Sequence, residues 1–176
     1  MKATGIVRRI DDLGRVVIPK EIRRTMRIRE GDPLEIYTDK DGEVIFKKYS
    51  PMGELSQFAA QMCESLNKTT GCTVAVADRD TIIAASGTGR RELMDKRISQ
   101  ELEQIMEERQ IYQHSGVGAE VFVTDGPERM EVSIAAPIIS EGDVMGCVVF
   151  VGGNLTDTEY KLAQTTSAFL GKQMEN

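Results

Sequence analysis

The sequence predicts an α+β protein in two parts: a small head of strands around one short helix (residues 1–51), and a larger body (residues 52–176) whose antiparallel sheet is flanked by helices. Three observations carry this reading. Hydrophobic periodicity alternates between strand and helix spacing along the chain. Charge is unevenly distributed: residues 1–30 hold nine basic side chains against four acidic, residues 31–50 three against five, and residues 51–176 ten against nineteen. The formal net charge of −6 therefore conceals a head segment of +5. The charge changes sign close to Tyr49-Ser50-Pro51, where a Ser-Pro step also disfavours helix on its N-terminal side.

In the head, Gly5–Ile10 and Arg15–Ile18 have strand character and flank an Asp11-Asp12-Leu13-Gly14 turn, with Gly14 at a positive-φ position. Pro19 suits the first turn of a helix, which runs from Lys20 to about Arg27. Ile22 and Met26 share one side of it, and Lys20, Arg23, Arg24 and Arg27 the other. Leu34–Tyr37 and Val44–Phe46 flank Lys40-Asp41-Gly42, a strong hairpin signal. A domain of about 50 residues buries too little surface to be comfortably stable without disulfide, metal or partner. The head offers no cysteine and no metal-ligand spacing, so it is expected to dimerise.

The body opens with an amphipathic helix, its stripe running from Met52 to Leu66 and its end near Gly71. Strands are expected at Cys72–Ala77 and Thr81–Ala85, a second helix over Asp95–Arg109, and strands at Ala119–Thr124, Met130–Ile139 and Asp143–Val151. Thr156 and Glu159 have capping-box spacing at the start of the last helix, and Leu155 with Tyr160 forms its hydrophobic staple. The stripes of the first and last helices are wide enough to pair with other helices.

Several classes are excluded. The longest strongly apolar run, Cys147–Val151, falls far short of the ~20 residues that span a bilayer. The N-terminus lacks the apolar core of a secretory signal, and three unclustered cysteines (Cys63, Cys72, Cys147) fit a reducing cytoplasm. No spacing points to a metal, and no cofactor is indicated. Gly87-Thr88-Gly89-Arg90 lacks the Gly-Lys-Ser/Thr ending of a phosphate loop. His114, the only histidine, reads as a surface loop residue. The cysteines read as buried, inert thiols, so an enzyme is not expected.

The run Asp11-Asp12-Leu13-Gly14-Arg15-Val16-Val17-Ile18-Pro19, followed by Arg23-Arg24, is long and specific. Through it, residues 1 to about 50 resemble the N-terminal DNA-binding domain of AbrB-type transition-state regulators, the swapped-hairpin family. The resemblance implies two chains interleaving their hairpins into one small β-barrel, which agrees with the size argument. It also implies contact with double-stranded DNA through Arg8, Arg15, Arg23 and Arg24, and a regulator that activates and represses during sporulation. Arg9 and Lys2 join the candidates on charge alone. Arginine suits the task because its planar fork binds phosphate or a guanine edge bidentately. An antitoxin-like adaptor or small-ligand receptor acting through protein contacts is the alternative, since the same swapped-hairpin class includes antitoxins.

The body resembles a GAF domain in its element order. That resemblance implies a pocket for an unidentified small molecule, with Ser86, Thr88, Arg91, Ser99 and Tyr112, and also Arg90, as candidate lining residues. A homo-oligomer is expected as well: a dimer through the head, as the AbrB-type resemblance implies, and by family analogy a tetramer when the body adds its own contacts.

Overall fold

The computed structural model describes residues 5–152 and 155–175. The chain divides into two compact units, Met1–Tyr49 and Ser50–Asn176.

The first unit is built on turns. Residues 5–18 contain no regular strand among the described residues, in contrast to the two strands expected there. The reason is physical: a lone two-stranded hairpin is marginal in water, and these arms have neither a third strand nor a covered face. Val7 is 93% exposed, Ile10 71% and Val17 70%. The loop that joins the arms is nevertheless well defined. The Asp11 N–H donates to the Arg15 carbonyl at 3.0 Å, the Gly14 N–H donates to the Asp11 carbonyl at 3.1 Å, and Gly14 has φ +76° as expected.

Pro19 is the N-cap of α1 (Lys20–Thr25), one position before its expected place in the first turn. The helix stops two residues early. The Ile28 N–H donates to the Arg23 carbonyl at 2.7 Å and the Arg27 N–H to the Arg24 carbonyl at 3.3 Å, the Schellman pattern, with Arg27 at φ +51° where glycine is the usual occupant. Arg27 is therefore half-buried beyond the helix and not on its polar face. Strands β1 (Leu34–Thr38) and β2 (Val44–Lys48) pair antiparallel with Ile36 opposite Phe46.

In the second unit, Pro51 starts a short turn of helix, α2 (Pro51–Glu54), and α3 (Ser56–Thr70) follows after Leu55. The single expected helix is thus split, and its C-terminal glycine, Gly71, caps α3 at φ +73°. Next come β3 (Thr73–Ala77), β4 (Ile82–Ser86), α4 (Arg90–Leu93), α5 (Gln100–Glu108), β5 (Tyr112–Gln113), β6 (Val132–Ser140), β7 (Asp143–Val151) and α6 (Asp157–Met174). The sheet has the order β4-β3-β7-β6-β5, and every pair is antiparallel. The strand expected at Ala119–Thr124 is replaced by isolated bridges, Phe122 to Glu131 and Ile98 to Thr124. Thr156 and Glu159 form the expected capping box, and Leu155 and Tyr160 pack against one core.

Both faces of this sheet are covered. Val74, Val76, Ile134, Ala136, Val148 and Phe150 turn to one core with Ala59, Cys63 and Leu66 of α3 and Ala163 and Leu170 of α6. Their neighbours Ala75, Ala77, Ala135, Cys147 and Val149 turn to the other, with Leu102, Ile105 and Met106 of α5. Period-two alternation distributes one apolar run between two cores. Glycine sets the closest contacts. A Cβ on Gly171 of α6 would lie 2.2 Å from the Ile139 carbonyl oxygen, and one on Gly146 of β7 2.1 Å from that of Ala77.

These clashes are with backbone, so Gly171→Ala and Gly146→Ala each destabilise the second unit by about 1–3 kcal/mol or more. Gly53→Ala, where a Cβ meets nothing nearer than 3.8 Å, is neutral or stabilising by up to about 1 kcal/mol. Denaturant melts of the three variants distinguish a tight glycine from a tolerant one.

Candidate functional site

All the described arginines of the predicted DNA set are exposed: Arg8 and Arg9 on the first arm, Arg15 on the loop, and Arg23 and Arg24 side by side on α1. Lys2 lies outside the described residues.

The loop that presents Arg15 is organised by one carboxylate. Asp11 Oδ1 accepts the N–H groups of Leu13 (3.0 Å) and Arg15 (2.8 Å), and Oδ2 accepts Arg15 Nε at 2.7 Å. Bonds from the Arg15 backbone and side chain hold the Asp11 carboxyl below its usual pKa. The loop at Asp39–Glu43 repeats this design. Asp39 Oδ1 accepts the N–H groups of Asp41 (3.0 Å) and Glu43 (2.8 Å), the Asp39 N–H donates to the Glu43 carbonyl at 3.2 Å, and Gly42 has φ +83°. The two hairpins share the pattern Asp-x-x-Gly-x. The recurrence is legible at 11–15 and 39–43, and sequence reasoning passed over it. The acidic partner of Arg15 was missed with it.

One cationic side chain of the unit, that of Lys48, serves its structure. Lys48 Nζ donates to the Arg27 carbonyl at 3.0 Å and lies 3.8 Å from Asp32, whose Oδ2 accepts the Arg29 N–H at 2.8 Å.

In the second unit the predicted ligand residues do not gather. Ser99 is a buried helix cap: its hydroxyl donates to the Phe122 carbonyl at 2.6 Å and accepts the Leu102 N–H at 3.0 Å. The Thr88 carbonyl accepts the Thr73 hydroxyl, and Ser86 is paired in β4 opposite Val74. The Tyr112 hydroxyl lies 3.2 Å from His114 Nδ1, and burial followed by the nearby Glu131 raises its pKa. His114 is half-buried, with Nε2 3.3 Å from Glu131, so the surface placement expected for it is incorrect. It follows β5 directly, and its N–H is held by the Ser133 carbonyl. Of the candidates, Arg91 borders an open cavity of about 440 Å³, where Arg91, Lys96 and Arg97 are interspersed with Glu92, Asp125 and Glu128. Lys96 and Arg97 fall in the stretch expected to open the second helix, which instead begins at Gln100, and Asp125 lies in an irregular segment.

The cysteines are buried, as expected. Burial pushes the Cys63 thiol up to about 12 and the Cys147 thiol higher still. No group of three His, Cys, Asp or Glu among the described residues could hold a metal ion, and no described helix is long and apolar enough to cross a membrane.

An arginine-bearing hairpin head joined to a helix-flanked, GAF-like antiparallel sheet defines a two-domain transcription regulator. Residues 54–175 match the family described as stage V sporulation protein T C-terminal, transcription factor, and residues 7–53 match the MazE antidote-toxin recognition family of bacterial antitoxins. The chain belongs to the stage V sporulation protein T family. It is 49% identical to stage V sporulation protein T of Bacillus subtilis (strain 168) over 177 residues, 99% of each chain. The structure of the N-terminal DNA recognition domain of the Bacillus subtilis transition-state regulator AbrB is 63% identical, covers 29% of this chain and 94% of that one, and has a TM-score of 0.25. A type II free methionine-R-sulfoxide reductase from Thermoplasma acidophilum, 11% identical with a TM-score of 0.52, covers 68% of this chain and 94% of that one. That last likeness is one of fold alone.

Thiol burial makes a direct prediction. In the native protein at pH 8, Cys63 and Cys147 react with an aromatic disulfide reagent orders of magnitude more slowly than in denaturant, because a thiolate must form before it attacks. Rapid native labelling, read by absorbance and peptide mass, would contradict the burial described.

Proposed function

We propose that this sporulation regulator binds double-stranded DNA through Arg8, Arg15, Arg23 and Arg24 of paired heads, with Arg9 and Lys2 at the margins. The observation that carries the reading is the set of exposed arginines on a loop and helix of a unit with almost no core of its own. Pairing two heads covers the apolar residues of the arms and doubles the arginines. Stripes on α3 and α6 supply a second contact, and a tetramer results. Residues 1–51 form the DNA-binding domain and residues 52–176 the oligomerisation and sensory domain, whose ligand occupies the charged cavity beside Arg91. The protein works in the cytoplasm and is not an enzyme. An antitoxin role is less well supported, because residues 54–175 match a transcription-factor family and fold around two cores.

Arg23→Ala combined with Arg24→Ala is the test. DNA affinity in a gel shift falls by at least about tenfold while light scattering shows the oligomer intact. Neutralising about 6–8 phosphates gives a log–log salt slope of about −5 to −7 for the native protein, and the double variant has a shallower slope. Unchanged binding overturns the arginine assignment, and a stable monomer of the native chain overturns the pairing.

A further inference from the structure

We infer that Asp11 is the positioning residue that fixes the Arg15 guanidinium for DNA, an inference that rests on the assignment of Arg15 to the DNA contact. The two oxygens of its carboxylate have separate tasks. Oδ1 accepts the loop N–H groups of Leu13 and Arg15, and Oδ2 alone receives Arg15 Nε, at 2.7 Å.

The loop at Asp39–Glu43 is an internal control. It keeps both Oδ1 bonds and the positive-φ glycine, but carries Glu43 where Arg15 stands. That loop, joining the paired strands β1 and β2, closes with no side-chain tether from its fifth position, so the Arg15 tether is an addition to the shared pattern. The Arg15 side chain is 70% exposed and that of Asp11 38%. An ion pair so exposed contributes little to stability. What it does supply is order. With Nε held, rotation about the outer torsions is restricted, and both Nη groups, which have no hydrogen bond among the described residues, are presented together to solvent. A fork fixed before binding loses less conformational entropy when it meets a phosphate or a base edge.

The inference predicts an effect opposite in sign to simple electrostatics. Asp11→Asn retains a side-chain oxygen for the two loop N–H groups but replaces Oδ2 with an amide that cannot accept from Nε. Were Asp11 only a negative charge beside DNA, this change would tighten binding. As a positioning residue, its loss weakens binding to a duplex selected from random-sequence DNA on the full-length protein, by about two- to tenfold per loop. Binding to non-specific poly(dI-dC) changes less, so the ratio of the two affinities falls.

Fluorescence anisotropy on the full-length oligomer reads both affinities. Asp39→Asn leaves them unchanged, and in an Arg15→Ala background Asp11→Asn no longer weakens binding. If the amide variant folds poorly by circular dichroism, Asp11→Ser, whose hydroxyl also accepts loop N–H groups, takes its place. Tighter or unchanged binding by Asp11→Asn, with Arg15→Ala still weakened, overturns the tether and leaves the Arg15 contact standing. Unchanged binding by Arg15→Ala overturns the contact and the tether together.

Discussion

Burial is divided very unequally along this chain, and the rest of the molecule follows from that division. Among residues 5–49 only Pro19 is buried, whereas the second unit closes two cores around one sheet. The hydrophobic effect scales with area removed from water, so the head gains little stabilisation as a single chain. Its hydrogen bonds to Asp11 and Asp39 set local shape but supply no core. The head is thus a pair of preformed turns on apolar arms, and on the proposed pairing of heads the arms acquire a buried face. Oligomerisation on the proposed reading is what permits the DNA-binding part to have a fold.

The second unit meets the opposite constraint. Its strands have side chains packed on both faces, which requires near-continuous apolar sequence and close approach by the helices. Gly171 and Gly146 are glycine because a backbone carbonyl already occupies the space of a Cβ. The same packing accounts for the thiols. Cys63 and Cys147 fill opposite cores, and burial disfavours the thiolate at both. Charged side chains line a cavity at Arg91 of α4 and at the irregular segments around Lys96 and Asp125.

What was legible in the sequence tracks what is local. The strand at Asp143–Val151, the capping box at Thr156 and Glu159, the Gly71 helix end and the Gly14 conformation each depend on a few adjacent residues, and each was read from them. Features that depend on distant partners were not. The arms at 5–18 have strand propensity but no ladder partner among the described residues. Residues 121–124 pair through isolated bridges, held to Met130 and Val132 on one side and to Ser99 on the other by a few backbone hydrogen bonds. Ser99 has the polarity of a ligand residue, but the start of α5 and the Phe122 carbonyl use both of its hydrogen-bonding capacities. The arginines of the head were read from composition and motif, and their exposure agrees with that reading.

The twin loops separate scaffold from function. Asp-x-x-Gly-x closes both hairpins with the same carboxylate oxygen and the same left-handed glycine, whatever occupies the fifth position. The backbone of that position closes the loop, and its side chain is not part of the shared closure. In one loop it holds Arg15 beside Arg8 and Arg9 in sequence, in the other Glu43 beside Asp39 and Asp41. A polyanion discriminates between these ends by charge alone, so two hairpins of identical closure can have opposite relations to DNA. Residues 8–15 carry three arginines against two aspartates and residues 39–43 one lysine against three carboxylates, so the charge asymmetry of the whole chain recurs between its two loops.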